Sequence, residues 1–243
     1  MNKIDTKGLL IRIFMPTIVL SLSYFILGHF CNIPYILLFC ILGTVILVPM
    51  ELGIIMVASK KEYGTYSLKS AFKGQEKLAL WKIVLIAFVF FGIAGLLSAF
   101  IAPIENQLFA GMRSSVLNNL PMGFDWNKFS ERPHESFSRP ILILTCVYYA
   151  VFNVLIGPIT EELFFRGYLT SHYKKQSSFT PILIAALFSL YHFWLPFNNI
   201  FRILAFAPVA YVAYKKKNIY ISICFHCICN LFSVVSFVLE VMG

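Results

Sequence analysis

Long apolar runs decide which class of fold this chain can adopt. A helix that crosses a bilayer needs about 20 mostly apolar residues, because the hydrocarbon is about 30 Å thick and each residue advances about 1.5 Å. Runs of this kind recur along the whole chain, in which 59% of the residues are hydrophobic and only 13% are charged. A soluble domain needs a mixed, charged surface. The sequence therefore predicts an all-α, polytopic transmembrane helix bundle and excludes an ordinary soluble enzyme, a disordered chain and a fibrous repeat.

The apolar runs predict seven or eight spans. The count depends on the fourth run, which is long enough for one broken helix or for two; we treat it as one helix with a kink at Gly157-Pro158. Residues 1–139 then form about three spans with their loops, including a long connecting segment at 105–139, and residues 140–243 form a second part of one integrated membrane domain. The runs are Leu9–Phe30, Pro34–Ala58, Ile83–Ile104, Pro140–Tyr173, Thr180–Leu195, Asn198–Tyr214 and Asn218–Val241.

Basic residues gather in the loops on one side of this topology. Most of the 20 Lys and Arg residues lie near the N-terminus, in the segment 60–82, at 174–175 and at 215–217. Cytoplasmic loops carry such an excess, so we expect an integral membrane protein of a bacterial plasma membrane with a cytoplasmic N-terminus. The net charge of +9 is spread over short loops and forms no single patch, so we expect no nucleic-acid partner.

Two adjacent glutamates and an arginine stand inside an apolar span, where ionisable groups are costly and often functional. Glu162 and Arg166 are four residues apart and share a helix face, so they can form an ion pair. Glu161 is rotated by about 100° from Glu162, which leaves its carboxylate free for chemistry. The same residues also suit an ordinary helix start with Thr160 as the cap.

Two histidines and an asparagine accompany these acids in later spans. His226 and Asn230 are four residues apart on one helix face, and His192 follows on another helix. Counted along the helices, Glu161, His192 and His226 lie at similar depth, roughly 12 to 18 Å from the same side. Such a group suits a hydrolase, since a carboxylate and an imidazole can take a proton from water and His and Asn can donate to an oxyanion. Glu51 has no obvious local partner, and we interpret it as a polar contact at a kink of the second span or, alternatively, as a group that lines a cavity.

Three motifs, in order on successive helices, resemble a known family. They are Glu-Glu-x-x-x-Arg at 161–166, Phe-x-x-x-His at 188–192 and His-x-x-x-Asn at 226–230. This pattern resembles the CPBP intramembrane proteases, which include the type II CAAX prenyl proteases, the Abi proteins and many bacteriocin self-immunity proteins. The resemblance covers about Pro140–Val241, so that residues 140–243 would be the catalytic helical core.

The resemblance implies a glutamate-type endopeptidase without a catalytic metal or other cofactor. In that reading Glu161 and His192 activate the water, while His226 and Asn230 stabilise the oxyanion. Its partners would be a peptide or membrane-protein substrate and the lipid bilayer. The residues expected to support the catalytic group are Glu162, Arg166 and Phe188.

Three other functions stay open on the sequence alone. A zinc-dependent membrane protease would use Glu161, His192 and His226 as ligands, although the chain has no His-Glu-x-x-His motif. A non-catalytic bacteriocin-immunity or scaffold protein would bind a partner without cleaving it. A transporter is disfavoured by the small size of the chain and by the lack of a detectable inverted repeat.

Overall fold

The structure, a computed structural model, describes residues 3–119, 137–194 and 197–243. Within these ranges the chain forms eight helices and no β-strand, which confirms the predicted all-α fold. Residues 120–136, a large part of the predicted connecting segment, lie outside the described residues. The helices are α1 (Thr6–Gly28), α2 (Tyr35–Tyr63), α3 (Leu80–Leu108), α4 (Ala110–Asn119), α5 (Arg139–His172), α6 (Thr180–Leu190), α7 (Asn199–Lys215) and α8 (Tyr220–Met242).

Five of the described helices, α1, α2, α3, α5 and α8, are long and apolar enough to cross a membrane. Two of the predicted runs are not among these five. The run expected at Thr180–Leu195 is helical for only 11 residues, whereas α7 has 17 residues, as many as the predicted run Asn198–Tyr214. The chain leaves α6 after Leu190 and begins the next helix from Asn198, which adopts a left-handed backbone conformation with φ 60°. His192 therefore lies in the connection between α6 and α7, and not in the middle of a helix.

The long helix α5 runs without interruption through the predicted kink at Gly157-Pro158. Two π-helical segments, Phe152–Ile156 and Leu163–Leu169, flank the short α-helical stretch that carries the glutamates. The Gly157 N–H donates to the carbonyl of Phe152, five residues back. Because Pro158 has no N–H, this wider register lets the helix continue past the proline.

The same proline leaves one carbonyl of α5 without a partner from its own helix. In the π register the carbonyl of Asn153 would accept from Pro158, which has no hydrogen to donate. The side-chain amide of Asn230, on α8, donates to this carbonyl instead, with an N···O distance of 2.8 Å. A buried carbonyl in a bilayer must find a donor inside the protein, so Asn230 ties α8 to α5 at this point.

Apolar side chains of α3 face outward over much of its length. Only 17% of its most apolar window is buried inside the bundle. An exposed apolar face of this kind suits contact with lipid tails, because the hydrocarbon supplies no polar partners. The most exposed side chains on this helix include Leu80, Leu85, Phe88, Val89, Leu96, Phe100 and Ile104.

The predicted cytoplasmic loops come together at one end of the bundle, which we call the basic end (residues 3–12, 60–82, 172–175 and 215–219). Ile4 donates its N–H to the carbonyl of His172 at 2.8 Å and accepts from the Lys174 N–H at 2.7 Å. On the other side of this end, the Lys217 ammonium lies 2.7 Å from Glu76, and this carboxylate raises the pKa of the Lys217 ammonium. The loops thus share one end as the topology requires, and the N-in orientation stays a prediction.

A carboxylate from α3 caps the start of α7 at the opposite end of the bundle. Glu105 lies three residues before the end of α3, in a stretch that the sequence assigned to the connecting segment. Its two carboxylate oxygens accept the backbone N–H groups of Ile200, at 3.0 Å, and Phe201, at 2.9 Å. These donors belong to the first turn of α7, where N–H groups lack partners within the helix and anions are favoured. Glu105 therefore fixes where α7 begins.

Candidate active site

The ion pair expected from the first motif is present. Arg166 Nη1 lies 3.1 Å from Glu162 Oε1, and both side chains are buried. The guanidinium carbon also lies 4.2 Å from the ring centroid of Phe188 and 5.4 Å from that of Phe206. Aromatic faces attract cations, so Arg166 is held by one carboxylate and by three rings, the third being that of Phe165 at 6.0 Å.

His226 lies between the two glutamates of the first motif. Its Nδ1 is 3.0 Å from Glu162 Oε1, and its Nε2 is 3.7 Å from Glu161 Oε2. Helices α5 and α8 thus bring both carboxylates and one imidazole to a single buried point. This convergence of Glu161 and His226 matches their similar depth in the sequence-based topology.

Tyr191 is a member of this cluster that the sequence did not identify. Its phenolic hydroxyl donates to Glu161 Oε1 at 2.8 Å, and the side chain is fully buried. Tyr191 directly precedes His192, the last residue of the second motif. In the sequence, this adjacency is the only feature that could have pointed to Tyr191 as a site residue. Glu161 is therefore hydrogen-bonded by Tyr191 at Oε1, while its Oε2 faces the imidazole of His226 at 3.7 Å.

Glu51 approaches the same cluster from α2. Its side chain is fully buried and interacts electrostatically with Glu161 and Tyr191. Neither of its carboxyl oxygens has a hydrogen-bond partner among the described residues. Glu51 thus faces the candidate site across the bundle, one turn after the π-helical segment Gly43–Leu47 of its own helix.

His192 lies in the turn after α6, and not within a span as the sequence suggested. Its Nδ1 is 2.7 Å from the carbonyl oxygen of Phe188. A carbonyl oxygen can only accept a hydrogen bond, so Nδ1 carries the hydrogen. In the neutral ring, Nε2 then has a free lone pair and can accept a hydrogen bond. The ring stacks edge-on against Phe188 and Tyr191, with centroids 4.8 and 4.9 Å apart. No hydrogen bond or ion pair joins His192 directly to Glu161 within the described ranges.

Phe188 connects the elements of all three motifs. Besides holding Arg166 and His192, its ring lies 5.6 Å from the ring of His226, measured between centroids. The side chain is 1% exposed. A single aromatic ring thus contacts a cation from the first motif, the histidine of its own motif and the histidine of the third.

Asn230 lies one helical turn from His226 and has one amide hydrogen committed to Asn153 of α5. The structure therefore shows a structural contact for this side chain. Its expected part in stabilising an oxyanion stays a prediction, which would fall to the remaining amide hydrogen.

The zinc alternative requires Glu161, His192 and His226 to converge on one metal ion. Among the described residues, no group of three or more His, Cys, Asp or Glu side chains is arranged to hold a metal ion. In the candidate ligand set, Glu161 and His226 approach each other, whereas His192 uses Nδ1 on a carbonyl and makes no direct contact with Glu161.

The fold and the site define an all-α integral membrane protein with a buried glutamate–histidine cluster. Residues 143–232 match the family model described as type II CAAX prenyl endopeptidase Rce1-like. The match spans less than half of the chain but contains all three motifs, and it confirms the resemblance of this region to the CPBP/CAAX protease family. The family is one of proteases, which supports peptidase activity at the level of the family. No curated protein and no solved structure matches the chain significantly.

Proposed function

We propose that this chain is an intramembrane, glutamate-type endopeptidase that hydrolyses a peptide bond in a membrane-associated protein or peptide precursor. The observation that carries the proposal is the buried convergence of Glu161 with His226 and Tyr191. In a bilayer, a cluster of ionisable groups is costly, so that its presence usually marks a functional site. Residues 140–243 supply this cluster, and the spans of residues 1–139 enclose it and contribute Glu51.

The nucleophile is a water molecule activated by Glu161. Its Oε2 and His226 Nε2 are 3.7 Å apart, so an oxygen about 2.8 Å from both atoms fits beside the line that joins them. Glu161 takes one proton from this water while the water oxygen bonds to the carbonyl carbon. The C–N bond then breaks, and the proton passes from Glu161 to the leaving amine.

His192 assists Glu161 from the turn after α6. Because Nδ1 donates to the carbonyl of Phe188, the lone pair of Nε2 is available to orient the water or to accept its proton. The separation of His192 from Glu161 suits action through the water rather than through a direct bond.

His226 and Asn230 stabilise the oxyanion that forms on the substrate carbonyl. Glu162 accepts from His226 Nδ1, so Nε2 also carries a hydrogen only in the doubly protonated imidazolium, and it is in this form that Nε2 donates to the developing charge. The carboxylate of Glu162 holds the imidazole through Nδ1, and Arg166 pairs with the same carboxylate. Asn230 contributes the amide hydrogen that Asn153 does not use.

A cavity of about 470 Å³ at the basic end has Arg166, the ion-pair partner of Glu162, in its lining. Polar residues of the same lining include Thr170, Gln176 and Lys215. Water and an extended peptide can approach by such a path, so the site opens toward the basic end. With the N-terminus in the cytoplasm, that opening is cytoplasmic.

The test presents a peptide library to the protein in lipid nanodiscs and detects cleavage by mass spectrometry. Wild type and His192→Ala are compared with and without a metal chelator. We expect wild-type cleavage that the chelator leaves unchanged and His192→Ala abolishes. Loss of wild-type activity in chelator would favour the zinc-dependent alternative, and cleavage by His192→Ala at the wild-type rate would remove His192 from the proposed machinery.

A further inference from the structure

A second cavity, of about 680 Å³, lies at the basic end and is separate from the candidate active site. It opens between the start of α1, the end of α2 and the last turns of α5. Its lining includes cations from three segments, Lys3, Arg12 and Lys61, and an apolar wall from α2. The candidate catalytic cluster uses none of these residues.

The two carboxylates that border this cavity are already occupied. Asp5 caps α1 by accepting the Gly8 N–H at 2.8 Å. Glu62 accepts from the Lys73 ammonium at 3.1 Å and from His172 Nε2 at 3.0 Å. Both carboxylates are thus engaged by groups of the protein itself, and the four Lys and Arg residues of the lining outnumber them.

Three cations of the cavity remain without a carboxylate partner among the described residues. Lys3 and Lys61 make no hydrogen bond or ion pair there, and Arg12 donates Nη1 to the carbonyl of Gly8 at 2.9 Å. The remaining N–H groups of Arg12 lie near the hydroxyl of Tyr168, which also lines the cavity. The cavity therefore presents an excess of positive charge and of hydrogen-bond donors.

The apolar wall of the cavity continues into the lipid-facing surface. Val57 lines the cavity and is 49% exposed, next to Ile54 on the same helix. On α1, the side chains of Ile11 and Met15 that flank Arg12 are exposed and apolar. The cavity thus lies at the boundary where the apolar belt ends and the basic loops begin.

We propose that this cavity binds the phosphate-bearing headgroup of an anionic phospholipid. Lys and Arg bind phosphate oxygens through charge-assisted hydrogen bonds, and basic pockets between transmembrane helices bind anionic lipid headgroups. A free phosphate shares this chemistry, but the apolar wall suits a ligand that also carries an acyl chain. The bound lipid links α1 to α2 at the basic end, a role that does not depend on proteolysis.

Native mass spectrometry of the detergent-purified protein tests this proposal. The protein is mixed with phosphatidylglycerol or with phosphatidylcholine of the same acyl chains, and the fraction with one bound lipid is measured. We expect retention of phosphatidylglycerol and little retention of phosphatidylcholine. Lys61→Gln and Arg12→Gln should each weaken retention about fivefold.

Lys60→Gln is the matched control. Lys60 is adjacent to Lys61 and equally basic, but its ammonium donates to the carbonyl of Gly64 at 2.8 Å and it does not line the cavity. Its substitution should change retention less than about twofold. Both lysines are exposed, so neither variant threatens the fold; Arg12→Gln is checked by thermal unfolding.

Three results would overturn the proposal. Equal losses in Lys60→Gln and Lys61→Gln would mean that general surface charge attracts the lipid. Equal retention of the two lipids would mean that the charge of the headgroup does not affect binding. Full displacement of phosphatidylglycerol by millimolar inorganic phosphate, in a buffer of matched ionic strength, would identify free phosphate as the ligand.

Discussion

The phenolic hydroxyl of Tyr191 donates a 2.8 Å hydrogen bond to Glu161 Oε1 from a position 30 residues further along the chain. The bond fixes the rotation of the carboxylate and directs its second oxygen toward His226, at 3.7 Å. Tyr191 is itself buried between Phe165 and Trp194, with ring centroids 5.0 and 5.2 Å away. The candidate base is therefore oriented by a side chain that is held by its own neighbours.

Tyr191→Phe should lower the rate of peptide cleavage about 10- to 100-fold while leaving the fold intact. The substitution keeps the ring and removes one hydrogen bond to a carboxylate, which is worth about 1.5–3 kcal/mol. The loss should appear in kcat more than in KM, since the bond positions a catalytic group. Tyr148→Phe is the control, because its hydroxyl bonds to Thr44 outside the cluster; equal rates for both variants would contradict the positioning role.

The Glu162–Arg166 pair should show strong coupling in a double-mutant cycle. Arg166→Met leaves a buried carboxylate without its cation and should destabilise the protein by about 3–5 kcal/mol. Adding Glu162→Gln removes the uncompensated charge, so the double variant should be more stable than Arg166→Met alone. Thermal unfolding in detergent measures both, and additive losses would show that the two side chains act independently.

Asn230 and Pro158 should be coupled through the carbonyl of Asn153. Asn230→Ala leaves that carbonyl without its donor and should cost about 1–3 kcal/mol of stability. Pro158→Ala restores a backbone N–H to α5 and should make Asn230→Ala less costly. Stability is measured by unfolding in detergent, independently of activity. If Asn230→Ala is equally destabilising with and without Pro158, the amide does not substitute for the missing N–H.

Gly167 should tolerate no side chain where α5 meets the segment after α2. A Cβ at this position would lie 2.5 Å from the backbone oxygen of Ala71, whereas a Cβ at Gly92 would have nothing within 4 Å. Gly167→Ala should therefore destabilise the protein by about 1–3 kcal/mol, and Gly92→Ala should not. A thermal-shift series in one detergent makes the comparison; equal melting temperatures would mean that the backbone of residue 71 moves away at little cost.

Contacts within one helix were accessible from the sequence. The Glu162–Arg166 pair follows from helical spacing alone, and the shared depth of Glu161 and His226 follows from counting residues along apolar spans. The family resemblance rests on motifs of the same local kind. These features need no knowledge of how the helices are arranged around one another.

Contacts between distant segments were not accessible in this way. The bond from Tyr191 to Glu161 and the cap that Glu105 places on α7 join residues whose separation has no local signature. The end of α6 at Leu190 was missed for a similar reason, since apolar composition continues beyond it while the backbone turns. Hydropathy marks where a chain is apolar, but tertiary contacts decide where a helix stops.

The most direct test of the central claim is the cleavage rate of Glu161→Gln in nanodiscs, measured on a peptide that the wild type cleaves. Glutamine keeps the shape of the side chain and its bond to Tyr191 but cannot take a proton from water. Glu240→Gln, an exposed carboxyl near the end of α8, is the matched control. We predict a loss of about 10²–10⁴-fold or more for Glu161→Gln and an unchanged rate for Glu240→Gln. Cleavage by folded Glu161→Gln at the wild-type rate would contradict the proposed catalytic role of Glu161.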